Sequence, residues 1–353
     1  MDTLRIATIG TSAICERFCD AVSHTGGVSL IACYSRDGAR ARAWADRHGA
    51  PLAFCDLDEL AASPEVDAVY VASPNGIHAR QAEVLLRAGK HVLCEKSLAS
   101  NEDEARRIFQ VAEGHGTVLL EAMRNLHTLG LSVAESTLPR MGNVQAATFR
   151  FAKITSRMRR LRAGERINMF DPYLSEGALM DMGVYAVEPA VALFGLPQRV
   201  HAAGVMMPVP GEPAGSRYGT IDLLGELLLD YGDKTVNVSY GKTYDNIVPS
   251  QIQGDLATLT IDSLATFSGL RLYVHEGSAM IYTAPEAAGV VLPAPTPDND
   301  MVCELGLFRD AVQGETEALD RVSRFRTVTL DALAVMDEAR RQMGVHFPAD
   351  EAS

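Results

Sequence analysis

The run Leu4-Arg5-Ile6-Ala7-Thr8-Ile9-Gly10-Thr11-Ser12-Ala13-Ile14-Cys15 decides the fold. A strand-like apolar stretch ends at a glycine. Small residues then open a helical pattern that places Phe18, Cys19 and Val22 on one face. Strand, glycine turn and helix in this order begin a dinucleotide-binding βαβ unit. Backbone N–H groups at such a helix N-terminus must face a pyrophosphate, so nearby side chains must be small. Gly10, Ser12 and Cys15 hold the three positions of G-x-G-x-x-G/A, with Thr11, Ala13 and Ile14 between them. Two of the three are not glycine, so the turn alone fits an ordinary βα connection as well as a cofactor loop.

Outward from this unit the alternation continues. Residues 28–34 form a second apolar strand that ends in Ser35-Arg36-Asp37. An NAD site wants a carboxylate here for the ribose hydroxyls, whereas the 2′-phosphate of NADP wants a hydroxyl and an arginine. Ser35 and Arg36 favour NADP, with NAD as the alternative; Arg36 also reads as a surface residue and Asp37 as a helix cap. A helix over 39–48 stops at Gly49-Ala50-Pro51, and 52–54 is a short strand. Strand 66–72 ends in Ser73-Pro74-Asn75-Gly76, and the next helix carries His78, Ala82, Leu85 and Leu86 on one face. Val92-Leu93-Cys94 is a strand ending in Glu95-Lys96-Ser97. Ser100-x-x-Asp103 reads as a capping box, and 117–121 as a sixth strand. Six strands with helical crossovers predict an N-terminal doubly wound parallel (Rossmann) sheet over residues 1–124.

Beyond Arg124 the pattern changes. Helices are predicted over 127–137 and 177–194, with a β-like run at 143–151 between them. From 199 to 282 the chain is mostly strand, punctuated by Tyr231-Gly232-Asp233-Lys234 and Gln253-Gly254-Asp255. A Pro-rich stretch, 285–297, reads as a surface loop, and helices over 299–312 and 328–343 close the chain. Residues 125–353 are therefore expected to form an α+β domain with a large, mainly antiparallel sheet. The absence of a linker predicts close packing between the two domains.

The formal charge of −13 over 353 residues argues against nucleic acid or an anionic membrane as partner. No apolar run near 18 residues stands out, so no membrane span is expected. Met1-Asp2-Thr3-Leu4-Arg5 lacks the features of a signal peptide, and the chain is expected in the cytoplasm with its six cysteines reduced. The nine histidines are scattered, and no metal site is expected.

Two segments carry chemistry. Ligands of open α/β sheets bind beyond the strands' carboxyl ends, where Lys96 could face a cleft and move a proton. It reads equally as a solvated lysine in a strand-to-helix loop. In Glu176-Gly177-Ala178-Leu179-Met180-Asp181-Met182-Gly183-Val184-Tyr185, Asp181 and Tyr185 lie four apart on a helix and share a face. They read as a functional pair, or as a structural one with the tyrosine hydroxyl bonded to Asp181.

The Gly10 turn, Ser73-Pro74-Asn75 with His78, Glu95-Lys96-Ser97, and Gly177-Ala178-Leu179 through Tyr185 occur in this order. Together they resemble the motifs of the Gfo/Idh/MocA family of glucose-fructose oxidoreductases and inositol dehydrogenases, over essentially the whole chain. Tyrosine at position 185 is similar to the dihydrodiol and xylose dehydrogenase subgroup. The resemblance implies an NAD(P)-dependent oxidoreductase that moves a hydride between nicotinamide and a secondary alcohol or carbonyl of a sugar, polyol or dihydrodiol. It implies Lys96 and Tyr185 as the proton-handling residues, with Asp181 orienting the substrate or the tyrosine. It also implies Gly10, Thr11, Ser12, Ala13, Ile14, Ser35, Arg36, Ser73, Pro74, Asn75, His78 and Glu95 as cofactor contacts, and a homodimer or homotetramer. A cationic Lys96 beside the phenol would stabilise a phenolate. A catalytically silent dinucleotide-binding regulator is the alternative, and a cofactor-dependent glycosidase a third reading that Ser35-Arg36 disfavours.

The chain departs from the family pattern at several points. Ser97 replaces a proline whose preceding bond is cis in many members. A cis bond to a non-proline residue costs about 2.5–4 kcal/mol, so trans is expected. Ser12 and Cys15 are expected to weaken or reshape pyrophosphate contact. Glu176 replaces a common glycine and either reaches the substrate pocket or faces solvent. Arg157, Arg159, Arg160, Arg162 and Arg166 read as a solvated face or as a lid.

Overall fold

The computed structural model describes residues 3–275 and 289–351. Its first half is β1 (Leu4–Ile9), α1 (Ala13–His24), β2 (Val28–Tyr34), α2 (Gly38–His48), β3 (Leu52–Phe54), α3 (Leu57–Ala62), β4 (Ala68–Val71), α4 (His78–Arg87), β5 (His91–Glu95), α5 (Glu102–Gly114) and β6 (Leu119–Ala122). The strands form one parallel sheet in the order β3-β2-β1-β4-β5-β6. Its central strand β4 is apolar and buried from end to end, and the neighbouring β5 is buried from Val92 on, as a sheet covered by helices on both faces requires. The strand order reverses between β1 and β4, and the crevice at their carboxyl ends is where such sheets bind ligands. Asp37 caps α2 by accepting from the Arg40 N–H. The cap of α5 is Asn101, one residue later than the sequence pattern predicts. The Ser100 hydroxyl is taken by Ser175 (2.8 Å), so Asn101 accepts the Glu104 N–H instead.

The chain continues through α6 (Arg124–His127), α7 (Leu129–Thr137), β7 (Val144–Ala152), α8 (Met158–Arg162), a π-helical turn (Leu179–Gly183) and α9 (Val184–Phe194). Then come β8 (Arg199–Pro208), β9 (Thr220–Asp230), β10 (Thr235–Gly241), β11 (Ser250–Gly254), β12 (Ala257–Ser263), β13 (Ser268–Val274), β14 (Val290–Val291), α10 (Met301–Val312) and α11 (Thr316–Met343). The second sheet runs β14-β13-β12-β11-β7-β10-β9-β8 and is antiparallel apart from the β7–β10 pair. β14 lies within the stretch expected to be only a surface loop. The end of the strand-rich stretch, 276–282, and the loop's first residues, 285–288, lie outside the described residues. Helix α11 begins well before 328, because its early turns bury little beyond Ala318 and Phe325 and show no continuous apolar register. α10 packs on α1, and α11 on α5, α9 and β8, so the closing helices return to the first sheet.

Among the described residues, Pro172–Phe194 is long and apolar enough by composition to cross a membrane, with a mean hydropathy of 1.3. The fold uses it as a core element instead, with 78 % of that window buried.

Candidate active site

Gly10 ends β1 at φ +116°, and a Cβ there would lie 2.8 Å from the Ala72 carbonyl oxygen and 2.9 Å from Cys15 Sγ. Only glycine fits. The Cys15 side chain is fully buried beneath it. Ser12 stands at the N-cap of α1 without a side-chain cap bond, its hydroxyl lying beside Cys15 Sγ (3.6 Å). The first-turn amides of α1 therefore remain available to an anion, and the helix dipole favours one there. Thr11, Ser12 and Ala13 line a hollow of about 620 Å³ with Arg17 and Trp44. Gly10 N–H donates to the Tyr34 carbonyl (3.3 Å), which sets Ser35 and Arg36 just beyond the neighbouring strand. Arg36 is exposed and makes no ion pair among the described residues.

A second cleft, about 460 Å³, brings together Ser12, Ile14, Ser73, Pro74, Asn75, Glu95, Lys96, Glu176, Asp181 and Tyr185. His78 is not on its wall. It is fully buried behind it, with Nδ1 3.0 Å from the Ser97 carbonyl and Nε2 2.6 Å from the Ser73 carbonyl. Burial pushes its pKa down, while the hydrogen bonds to the Ser97 and Ser73 carbonyls act in the opposite direction. The Lys96–Ser97 bond is cis, contrary to expectation. The fully buried Ser97 is held from both domains: its carbonyl faces His78, and its hydroxyl donates to the Met180 carbonyl (3.0 Å).

Asp181 lies on a π-helical turn rather than in the regular helix expected, a feature frequent at functional sites. Gly177 (φ +133°) enters this turn, where a Cβ would meet Asp222 Oδ1 at 2.3 Å, and Asp222 accepts the Leu179 N–H (2.6 Å). Lys96 Nζ donates to Asp181 Oδ1 (2.6 Å) and to the Asp181 carbonyl (3.0 Å). Lys242, just after β10, takes Oδ2. Burial opposes ionisation of Asp181, but the two lysines more than offset it and hold its pKa well below the usual carboxylate range. Burial likewise opposes the Lys96 ammonium, and Asp181, Tyr185 and Glu95 raise its pKa regardless.

The Tyr185 hydroxyl does not bond to Asp181. Its oxygen accepts from Arg124 Nη2 (3.2 Å), and Lys96 Nζ lies 5.2 Å from the ring centroid. Pro189, inside α9, lacks the N–H that would bond the Tyr185 carbonyl four residues back. Asn125 Nδ2 supplies the missing donor (3.0 Å), anchoring the tyrosine to the segment after β6. Glu95 accepts from the Tyr70 hydroxyl (2.6 Å). Glu176 has its pKa pushed up to about 7, by burial first and by the Asp181 charge second.

The comparisons with known proteins decide the family. A family model described as "Oxidoreductase family, NAD-binding Rossmann fold" (GFO_IDH_MocA) matches residues 4–123. The chain is 34 % identical over 352 residues to the scyllo-inositol 2-dehydrogenase (NADP(+)) of Bacillus subtilis, covering 99 % of this chain and 100 % of that one. The chain belongs to the GFO_IDH_MocA oxidoreductase family. It is 40 % identical over 169 residues to a D-xylose 1-dehydrogenase (NADP(+)) of Haloferax volcanii, covering 48 % of this chain and 50 % of that one. Its fold matches a 3-ketoreductase of Actinomadura kijaniata solved with NADP and TDP-benzene, with TM-score 0.78 and 23 % identity over 98 % of this chain and 100 % of that one. As a GFO_IDH_MocA member the chain is an NAD(P)-dependent oxidoreductase, and the free α1 amides and the Gly10 cradle fit a dinucleotide.

Sequence reading missed Lys242 and Arg124. Lys242 follows a strand end as Lys96 does, but β10 alternates polar and apolar residues. Arg124 was legible only as the point where the pattern changes.

Proposed function

We propose that this member is an NADP-preferring dehydrogenase or reductase of a sugar, cyclic polyol or dihydrodiol, with Lys96 and Tyr185 handling the proton. One observation carries the reading: the Tyr185 oxygen accepts from Arg124, which leaves its O–H free for the cleft that Lys96 also lines. When bound, the nicotinamide supplies or accepts the hydride. In reduction Tyr185 gives its proton to the carbonyl oxygen, and in oxidation its oxygen takes the alcohol proton. Negative charge developing on the phenol oxygen faces Lys96 and Arg124. Asp181 holds Lys96 in place, and the Lys96 charge steadies whichever oxygen is negative. In this reading residues 1–124 seat the cofactor, through Gly10, Thr11, Ser12, Ala13, Ile14, Ser73, Pro74, Asn75 and Glu95, with Ser35 and Arg36 at the 2′-phosphate. His78 positions the Ser73 and Ser97 loops, and residues 125–353 shape the substrate pocket.

The test is separate titration of NADP and NAD, followed by a screen of polyols, aldoses and dihydrodiols at the nicotinamide absorbance band. Tighter NADP binding that Arg36→Ala erases, with turnover of one substrate class, is expected. Binding of both cofactors without any turnover would instead favour a silent regulator. Exposed apolar residues on the second sheet, such as Val205, Leu228 and Val274, support assembly into a homodimer or homotetramer in the cytoplasm. A concentration-independent monomer by light scattering would refute the assembly.

A further inference from the structure

The residues around Tyr185 extend to a buried carboxylate outside the motifs that mark the family. Asp300 precedes α10 and is fully buried. Its two oxygens accept from Arg124 Nη1 at 2.9 and 2.8 Å, and Oδ1 also accepts from Arg17 Nη2 at 2.7 Å. Arg17 comes from α1, the helix whose first turn faces the cofactor hollow. The other arm of the Arg124 fork, Nη2, reaches the Tyr185 oxygen at 3.2 Å. The start of α10 and helix α9 thus meet on the Arg124 guanidinium, whose planar donors fix direction as well as charge.

A purely structural ion pair needs only one face of this fork. Asp300 takes one nitrogen of Arg124 and already has Arg17 as a second cation, so the charge of the carboxylate is met without the remaining arm. That arm ends on the single hydroxyl that the proton transfer uses. It occupies an acceptor position of the phenol oxygen and leaves the O–H to turn toward the cleft.

We propose that Arg124, clamped by Asp300, is a positioning residue for Tyr185: it fixes the direction of the hydroxyl and faces the charge that develops on its oxygen. The inference rests on the proton-handling role given above to Tyr185. Its test has two arms, one of which needs no turnover. With tyrosine labelled at 13Cζ and the Tyr185 resonance assigned by its loss in Tyr185→Phe, Arg124→Gln should shift that resonance while NADP affinity stays within about twofold. In turnover, Arg124→Gln should lower kcat by about ten- to a hundredfold, the worth of one hydrogen bond to a charged group, with KM little changed. In the Tyr185→Phe background the same change should cost almost nothing more, because the group it acts through is gone. Should Arg124→Gln not fold, Arg124→Lys keeps a cation for Asp300 and loses the second arm, and the same shift and loss are expected. An unmoved resonance, or losses that simply multiply in the double variant, would overturn the positioning role. Full turnover by Tyr185→Phe would instead overturn the reading of Tyr185 itself.

Discussion

Two lysines grip the same carboxylate from opposite sheets. Lys96 follows β5 of the parallel sheet and takes Asp181 Oδ1; Lys242 follows β10 of the mainly antiparallel sheet and takes Oδ2. Both follow strand ends, and both are largely withdrawn from solvent, with 13 % and 3 % of their side chains exposed. They differ in what else they face. Lys96 lines the cleft and lies over the Tyr185 ring, whereas Lys242 lies over the Phe170 ring, 5.5 Å from its centroid, and does not reach the cleft wall. Equal charge at equal reach therefore gives two roles. One cation is available to reacting groups; the other fixes the carboxylate that aims the first.

The largest effect should come from Lys96→Met. Loss of a group that takes part in proton transfer costs about 10²–10⁴-fold in turnover. NADP affinity should change little, and Asp181 should stay ionised on Lys242. Lys242→Met should be milder in turnover, about tenfold or less, because Lys96 still pairs Asp181. Its main effect should be on Asp181, left with one partner in a buried site. Steady-state kinetics and cofactor titration on both variants measure the contrast. Equal losses of turnover would break it, since Lys242 would then act on the reaction as directly as Lys96. Within this network, Asp181 is held ionised by its lowered pKa and Lys96 by its raised one, so their mutual stabilisation persists from above the ordinary carboxylate range to below the ordinary lysine range.

The same contrast explains what the sequence could and could not reveal. The parallel sheet was legible because β4 and the core of β5, Val92-Leu93-Cys94, are apolar runs, and the polar residues that follow them mark the ligand crevice. Lys96 could be read there from its place at a strand end in an ordered set of motifs. Lys242 sits at a similar strand end in the second sheet, but nothing local says that β10 points at Asp181; that follows from the parallel β7–β10 pairing, a long-range property. Arg124 and Asp300 are far apart in sequence and meet only because α10 returns to pack on α1. The cis geometry at Ser97 was misread for the same reason. Its fit depends on Met180 and His78, which local reasoning about a serine does not include.

The smallest expected effect concerns the carboxylate that neither lysine takes. Glu176 lines the Asp181 cleft, and the two ammonium groups lower its pKa less than burial and Asp181 raise it, leaving it at about 7. A carboxyl group whose pKa is raised on folding binds more protons folded than unfolded, so stability falls as pH rises between the two values. The cost should be absent below about pH 4, the ordinary glutamate value. It should grow up to about pH 7 and stay constant above. Glu176→Gln carries no such titration. Its melting temperature relative to the unmodified protein should therefore climb across pH 5–7 and then level off, by a few degrees at most for a chain of this size. Thermal denaturation at a series of pH values reads this directly. A flat difference would mean that folding does not raise the Glu176 pKa. Lys242→Met should carry the same inflection to higher pH, because it withdraws one of the two charges that restrain it.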